Sequence, residues 1–438
     1  MTQLHPASCK PGAQASLPPA HGSCADASSD SVSIAAPKGR DAGSTLTPAL
    51  TLLLAASVGV IVTNLFAPQT LVAPMAASLG LDMGHSGLIA MMTLLGYACG
   101  LFLLVPLADL VENRRLVLVE LLVAIAAAGT AAVAGDATGL MAALFVLGMA
   151  CSAIQVLVPI AADMAAPAQR GRVIGDVMGG LMVGILLARP IASLIAQAWG
   201  WRGFYVASAL GMSVIALVLV ARLPRRRPVA RDSYGALIAS LWGLLRGEPV
   251  LRRRSLSAAL AMAAFSLYWS AVALRLAQAP FGFDQVDIAV FALVGAGGAI
   301  ATPWFGRAGD RGWTRSATLA ADALMIAGFG VAAWAGWTRT GSATLPMIAM
   351  GMAAVLLDVG VTGDQTLGRR AINMLRPEAR GRINGLFVGL FFLGGAAGSA
   401  LAGIAWVLGG WPAVCVMGAI FSAAALVVGM GGREGAHS

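Results

Sequence analysis

The chain has 438 residues, 58% hydrophobic and only 11% charged, with a net charge of +9. Ordinary soluble domains carry about 25% charged residues, and a soluble core stops growing beyond roughly 250–300 residues, so a soluble enzyme, a disordered chain and a fibrous one are excluded. The positive charge falls in short loops between apolar runs, which argues against nucleic acid as a partner.

Residues 1–48 are rich in Ala, Ser, Pro, Gly and Asp and contain no apolar stretch. They lack the apolar centre of a secretory leader, and their composition predicts a disordered cytoplasmic tail. Twelve apolar segments follow, near 49–73, 86–108, 116–134, 139–163, 175–197 and 203–222, then near 255–277, 287–305, 317–336, 345–368, 384–405 and 412–430. About 20 apolar residues suffice to cross a hydrocarbon core of roughly 30 Å as a helix. The expectation is an all-α integral membrane protein with twelve transmembrane helices in two sets of six, 49–222 and 255–430, and a short tail at 431–438. Between the sets lies a polar linker, 223–254, in which Tyr234, Leu237, Ile238, Leu241, Trp242, Leu244 and Leu245 give an apolar stripe at helical spacing. That amphipathic helix is expected on the membrane face or against the bundle.

Of the 29 Lys and Arg residues, 25 fall in tails and cytoplasmic loops if both termini are cytoplasmic. Only Arg202 and Arg339 then lie outside, with Arg189 and Arg275 inside helices. The positive-inside bias favours that orientation. The cysteines Cys9, Cys24, Cys99, Cys151 and Cys415 are scattered without a Cys-x-x-Cys pair, and three of the four histidines sit in the tails, so no disulfide framework, metal site or cofactor is indicated.

The two sets repeat each other. Residues 167–201 align with 377–411 at a constant offset of 210, with identity at Pro167/Pro377, Arg170/Arg380, Gly171/Gly381, Arg172/Arg382, Gly175/Gly385, Gly179/Gly389, Gly184/Gly394, Ala192/Ala402, Gly200/Gly410 and Trp201/Trp411. The same offset pairs Gln155 with Gln365. The second segment ends in Pro106-Leu107-Ala108-Asp109 with Arg114-Arg115 after it, and the eighth in Gly306-Arg307-Ala308-Gly309-Asp310-Arg311 with Arg315 after it. Two parallel six-helix repeats are a construction found in alternating-access transporters.

These residues resemble the major facilitator superfamily over essentially the whole chain after residue 48. The loop after the second segment is similar to the family's G-x-L-a-D-r-x-G-r-r motif, with Val105, Leu110 and Glu112 replacing family residues, and the copy after the eighth segment fits better. Asn64-Leu65-Phe66-Ala67-Pro68-Gln69 resembles the first helix of bacterial drug and metabolite efflux members. That branch often carries G-P-x-x-G-G in helix 5, where this chain reads Arg189-Pro190-Ile191-Ala192-Ser193, and a family arginine of helix 4 is replaced by Leu144. The resemblance implies that Asp109, Arg114, Arg115, Gly306, Asp310, Arg311 and Arg315 form a cytoplasmic gate, through charge-assisted bonds that break as the cavity opens inward. The competing reading is helix-end solvation. Glycines 175, 179, 184, 385, 389, 394 and 398 give small faces for close helix packing.

Ionisable groups at membrane depth are expensive and therefore functional candidates. Asp358 and Asp364 lie in the tenth segment, Asp358 near the middle and Asp364 about 9 Å nearer the cytoplasm. In the family fold helices 1, 4, 7 and 10 line the cavity, which makes both acids proton-coupling candidates; Asp364 could instead pair with Arg369 or Arg370. Arg189 is either a partner for a carboxylate or anionic substrate, or a structural donor to backbone carbonyls. Arg275 is expected to snorkel, and Glu120 and Asp322 to pair with loop arginines. Asn64, Gln69, Gln155, Tyr268, Trp269 and Gln365 complete a candidate substrate cavity.

The combined expectation is a monomeric secondary transporter of the bacterial inner membrane, not an enzyme, with a small-molecule substrate, protons and the lipid bilayer as partners. It would export a drug or metabolite by alternating access as a proton-coupled antiporter. No phosphate-cradling Gly-x-x-x-x-Gly-Lys-Ser/Thr loop is present. The alternatives are proton-coupled uptake of an anionic metabolite, which Arg189 favours, and a transport-inactive membrane sensor.

Overall fold

A computed structural model describes residues 47–225, 233–337, 344–376 and 379–431. The expected disordered tail to residue 46 and the terminal residues 432–438 lie outside them. Every regular element among the described residues is helical. In hydrocarbon the backbone must bond to itself, and long apolar runs do so as helices.

α1 (Pro48–Ser78) starts at Thr47, whose hydroxyl accepts from the Leu50 amide at 3.3 Å, with Pro48 at the first helical position. α2 (Gly87–Leu103) ends in a 3-10 turn, Val105–Asp109. α3 spans Asn113–Val133, and the fourth segment is two helices, α4 (Ala137–Ala150) and α5 (Ala153–Met164), broken at Cys151-Ser152. The fifth and sixth segments form one run, α6 (Arg170–Arg222), interrupted at Gly200, where φ is 71°. The first limb of α6 rises along α1, with Gly180 at Ala55 and Gly184 at Gly59. The second limb returns, with Ser208 bonded to Asn64 and Gly211 beside Val60. The chain therefore reverses at Gly200 with almost no loop.

The second half repeats this plan. α8 (Pro249–Leu276) is followed by α9 (Gln285–Ala296), a 3-10 turn (Gly297–Ala301) and α10 (Thr302–Asp310), which together make the eighth segment. α11 (Thr314–Trp337) and α12 (Thr344–Asn373) precede α13 (Arg380–Met430). α13 breaks at Gly409-Gly410, and its second limb runs back along α11, from Trp411 bonded to Ala332 to Gly418 against Phe329. Gly410 has φ 61°, so the repeat partners Gly200 and Gly410 are identical because both reversals need a left-handed residue.

Nine described helical runs are long and apolar enough to cross a membrane. The reversals in α6 and α13 give each of those runs two crossings, and the broken eighth segment supplies the last, so the protein is a twelve-span, two-repeat, multi-pass membrane protein. Small residues set the packing in both halves. A Cβ on Gly184 would lie 2.3 Å from the Gly59 carbonyl oxygen, and one on its partner Gly394 1.9 Å from that of Ala259. Close backbone approach of this kind holds helices together in lipid, where the hydrophobic effect does not.

The linker contains α7 (Tyr234–Gly247), capped by Ser233, whose hydroxyl accepts from the Ala236 amide. Leu237, Leu241 and Leu244 face the bundle, while Trp242 is exposed with Arg246 over its ring at 4.6 Å. Tyr234 Oη donates to the Leu103 carbonyl at 2.9 Å, and Arg382 of α13 donates to Ser240 Oγ at 3.0 Å. α7 thus lies against the bundle and touches both halves.

Candidate functional site

Two buried charges, Arg189 and Asp358, meet among side chains from four helices. α1 presents Phe66 and Gln69, α6 presents Arg189, α8 presents Phe265 and Trp269, and α12 presents Asp358 midway along its length. Arg189 is 4% exposed and Asp358 8%. Arg189 Nε and Nη2 both donate to Gln69 Oε1, at 3.1 and 2.8 Å, which engages two of the five guanidinium donors. The guanidinium carbon also lies 4.3 Å from the centre of the Trp269 ring, 5.1 Å from Phe265 and 5.3 Å from Phe66. A desolvated cation over an aromatic face gains about 2 kcal/mol or more, so the rings offset part of the cost of burying this charge.

Trp269 serves both charges. Its face meets Arg189, and its Nε1 donates to Asp358 Oδ1 at 3.2 Å. Its outer edge packs on α9 at Gly295, where a Cβ would come within 2.6 Å of the ring. Arg189 and Asp358 act on each other electrostatically but are not among the ion pairs within 4 Å of the described residues.

Arg189, Asp358, Thr362 and Gln365, with Phe66, Phe265, Phe391 and Phe392, line a chamber of about 110 Å³. That volume holds a few waters, each about 30 Å³, whereas sites for organic ligands are about 300–1,000 Å³. The centre is therefore contracted in this conformation. A larger cavity, about 540 Å³, lies at the arginine-rich end between the Pro106–Asp109 turn, α5 and the start of α13, and it includes Gln155, Asp163, Leu241 and Arg382. A partition joins the two spaces: Gln155 Nε2 donates to Tyr97 Oη at 3.2 Å, and the Tyr97 ring stands edge-on to Phe392 at 4.7 Å. At the far end α2 and α13 meet backbone to backbone, since a Cβ on Gly87 would lie 2.1 Å from the Ser399 carbonyl oxygen.

The sequence profile described as Major Facilitator Superfamily matches residues 49–367. The chain belongs to this superfamily. The protein named "Uncharacterized transporter YgaY" of Escherichia coli O157:H7 is 35% identical over 389 residues, covering 87% of this chain and 95% of that protein. "Probable transporter SCO4007" of Streptomyces coelicolor is 30% identical over 370 residues, 83% of each chain. Among solved structures, the nucleoside transporter NupG (D323A mutant) aligns at a TM-score of 0.68 with 15% identity, covering 87% of this chain and 99% of that one. A POT-family peptide transporter in complex with sulfate aligns at 0.66 with 18% identity, covering 87% and 92%. These likenesses show the fold.

In this facilitator the polar residues expected in the cavity divide into three groups. Arg189 and Gln365 line the chamber, with Gln69 and Trp269 bonded to its charges, and Gln155 lines the larger cavity instead. Asn64 and Tyr268 are elsewhere. Asn64 Oδ1 accepts from Ser208 at 2.7 Å, inside the first half. Tyr268 Oη donates to the Met350 carbonyl at 3.2 Å, inside the second. Both are helix-to-helix bonds, and direction of a side chain, unlike its polarity, is not written in sequence.

Other expectations also need correction. Asp364 does not border the chamber, and neither Arg369 nor Arg370 is its hydrogen-bond donor: it accepts from Ser257, while Arg370 pairs with Asp310. Arg275 reaches past the end of α8, as expected, and its guanidinium is held there by the carbonyls of Ala279 and, at the end of α11, Gly336, at 2.9 Å each. Glu120 accepts from Ser152 Oγ at 2.9 Å rather than from a loop arginine. Arg189 bonds a side-chain amide, not the backbone carbonyls of the structural reading.

The expected gate residues sit at the arginine-rich end, as the motif places them. Arg114 donates to the Val220 carbonyl, Arg315 to that of Met430 at 3.0 Å, and Arg311 lies over Trp313 at 5.9 Å. Asp109 borders the larger cavity, Arg115 is exposed, and Gly306 has open space at its Cβ position. These contacts of Arg114, Arg311 and Arg315, and the Asp310–Arg370 pair, stay within one half, in keeping with a cavity at that end. Sequence reasoning missed Phe66, Phe265, Phe391 and Phe392; aromatic residues inside apolar runs give no signal that separates a chamber wall from packing.

Proposed function

We propose that this facilitator is a proton-coupled secondary transporter that exports a small organic solute by alternating access, as a monomer in the bacterial inner membrane with both termini cytoplasmic. The observation that carries the reading is Trp269, which holds a buried guanidinium on its face and a buried carboxylate at its N–H without letting them pair. Neutralising Asp358 by a proton changes the field at Arg189 and the demand on the indole at once, so proton and solute report on each other through one side chain. An antiporter needs that competition. The cavity at the arginine-rich end supplies entry for the solute from the cytoplasmic side, and the aromatic walls suit an apolar body.

A second reading, uptake of an anionic metabolite with a proton, is favoured by Arg189. Only two of its donors are engaged by Gln69, and with Asp358 protonated the chamber would carry one net positive charge for a monoanion to balance.

The test begins with a thermal-shift screen of purified protein against metabolites and drugs, followed by flux in proteoliposomes. Asp358→Asn is expected to fold, to lose proton-dependent flux and to keep counterflow. Flux with an unchanged pH dependence in this variant would exclude Asp358 as the carrier. The sign of the proton gradient that drives accumulation separates export from uptake.

A further inference from the structure

The second half contains another buried charge cluster, apart from the chamber. Arg254 and Ser257 stand one turn apart on α8. Arg254 Nη1 donates to Thr318 Oγ1 of α11 at 3.0 Å, and Ser257 Oγ donates to Asp364 Oδ1 of α12 at 2.9 Å. Asp322 is one turn beyond Thr318 on α11, and α13 closes over it with Gly429, where a Cβ would lie 3.5 Å from Asp322 Oδ2. Asp322, Asp364 and Arg254 are 0%, 1% and 3% exposed. Among the described residues the charges that act on the two carboxylates are each other and Arg254; α13 brings none.

Both oxygens of Asp322 and Oδ2 of Asp364 lack a hydrogen-bond partner. A buried carboxylate oxygen without a donor is costly, and two carboxylates at one dry site resist ionising together. One guanidinium balances one negative charge. A single proton held between the two carboxylates would cancel the second charge and give partners to two of these three oxygens at the same time.

We infer that Asp322 and Asp364 share one proton beside Arg254 and so form a proton-binding site distinct from Asp358. The site belongs to the second half alone: the position matching Asp364 at the repeat offset is Ile154, and Glu120 there faces a serine. Asp364 follows Asp358 by about 9 Å along α12, toward the arginine-rich end. The site goes beyond the transport reading and does not depend on Asp358 carrying a proton.

The experiment is an infrared pH titration of the full-length protein in proteoliposomes, reading the carbonyl stretch of protonated carboxyls. Read as wild-type-minus-variant difference spectra, in which the other buried carboxyls Glu120 and Asp358 cancel, Asp322→Asn and Asp364→Asn should each remove the same protonated-carboxyl band at neutral pH, and Asp358→Asn should leave that band in place. Each remaining aspartate would then stand ionised against Arg254, so if one variant fails to fold the other decides. Survival of the band in either folded variant, or loss of two separate bands, would overturn the shared proton. Loss of the band when sodium replaces potassium at constant pH would overturn it in favour of a metal-cation site.

Discussion

Trp269→Phe isolates the link between the two chamber charges. The substitution keeps an aromatic face for Arg189, 4.3 Å away, and deletes the N–H that meets Asp358 at 3.2 Å. A hydrogen bond to a charged group contributes about 1.5–3 kcal/mol, and the gap left under Gly295 by the smaller ring adds roughly 1 kcal/mol. Total destabilisation should be about 2.5–4 kcal/mol. In an Asp358→Ala background the acceptor is gone, and the same change should cost only the packing part, about 1 kcal/mol. The four proteins of the cycle, unfolded in mixed micelles, should therefore show a coupling energy of about 1.5–3 kcal/mol. Additivity to within about 0.5 kcal/mol, the behaviour of independent sites, would refute the claim that the indole N–H serves Asp358.

If Arg189 holds an anionic group of the solute, Arg189→Lys should lose part of the affinity and Arg189→Gln more, because an ammonium does not reproduce the planar fork; normal affinity with a large fall in melting temperature would make the residue structural. Gly87→Val should prevent α2 and α13 from closing at the far end, so a cysteine replacing the buried Ser399 should become reactive in the variant, and equal protection in both proteins would contradict this. In a chain lacking Cys9 and Cys24, an impermeant thiol reagent added outside should label His85→Cys and miss Ser233→Cys; the reverse pattern would invert the topology. The hydrogen bond from His85 holds the exposed Asp82 carboxyl below the usual range, so His85→Ala should raise it in a carbon-13 aspartate titration. A depressed pKa contributes stability above the unfolded value that is lost as pH falls through the folded one, so wild type and variant should converge in acid, and divergence there would count against the pairing.

The spans were legible because apolar run length is a direct requirement of the bilayer, and the segment limits read from it fall within a few residues of α1, α3 and α11. The repeat was legible for a different reason. Gly200 and Gly410 make the same reversal, and Gly184 and Gly394 the same close approach, so neither pair tolerates a side chain. Arg189 and Asp358 stood out because charge at that depth is rare. What the sequence did not carry is rotation about each helix axis. Polar residues in α1 and α8 are scattered rather than gathered in one stripe that shows which face looks inward, so Asn64 and Tyr268 passed for cavity residues while Phe66 and Phe265 were not singled out. The Asp322–Asp364–Arg254 group was hidden for a related reason: it brings together three segments whose spacing along the chain encodes nothing about their proximity.

The strap formed by α7 has a mechanical consequence. Its two anchors, Tyr234 on α2 and Ser240 held by α13, are six residues apart, and a helix does not stretch beyond 1.5 Å per residue, or about 9 Å here. The strap is therefore a stop of fixed length across the mouth on its side. The mouth can gape only until the strap is taut, after which one anchor must let go. The Tyr234 anchor is a neutral hydrogen bond of about 0.5–1.5 kcal/mol and the Arg382 anchor a charge-assisted one of about 1.5–3 kcal/mol, so with Leu237, Leu241 and Leu244 packed beside them the Tyr234 end is the one that releases first.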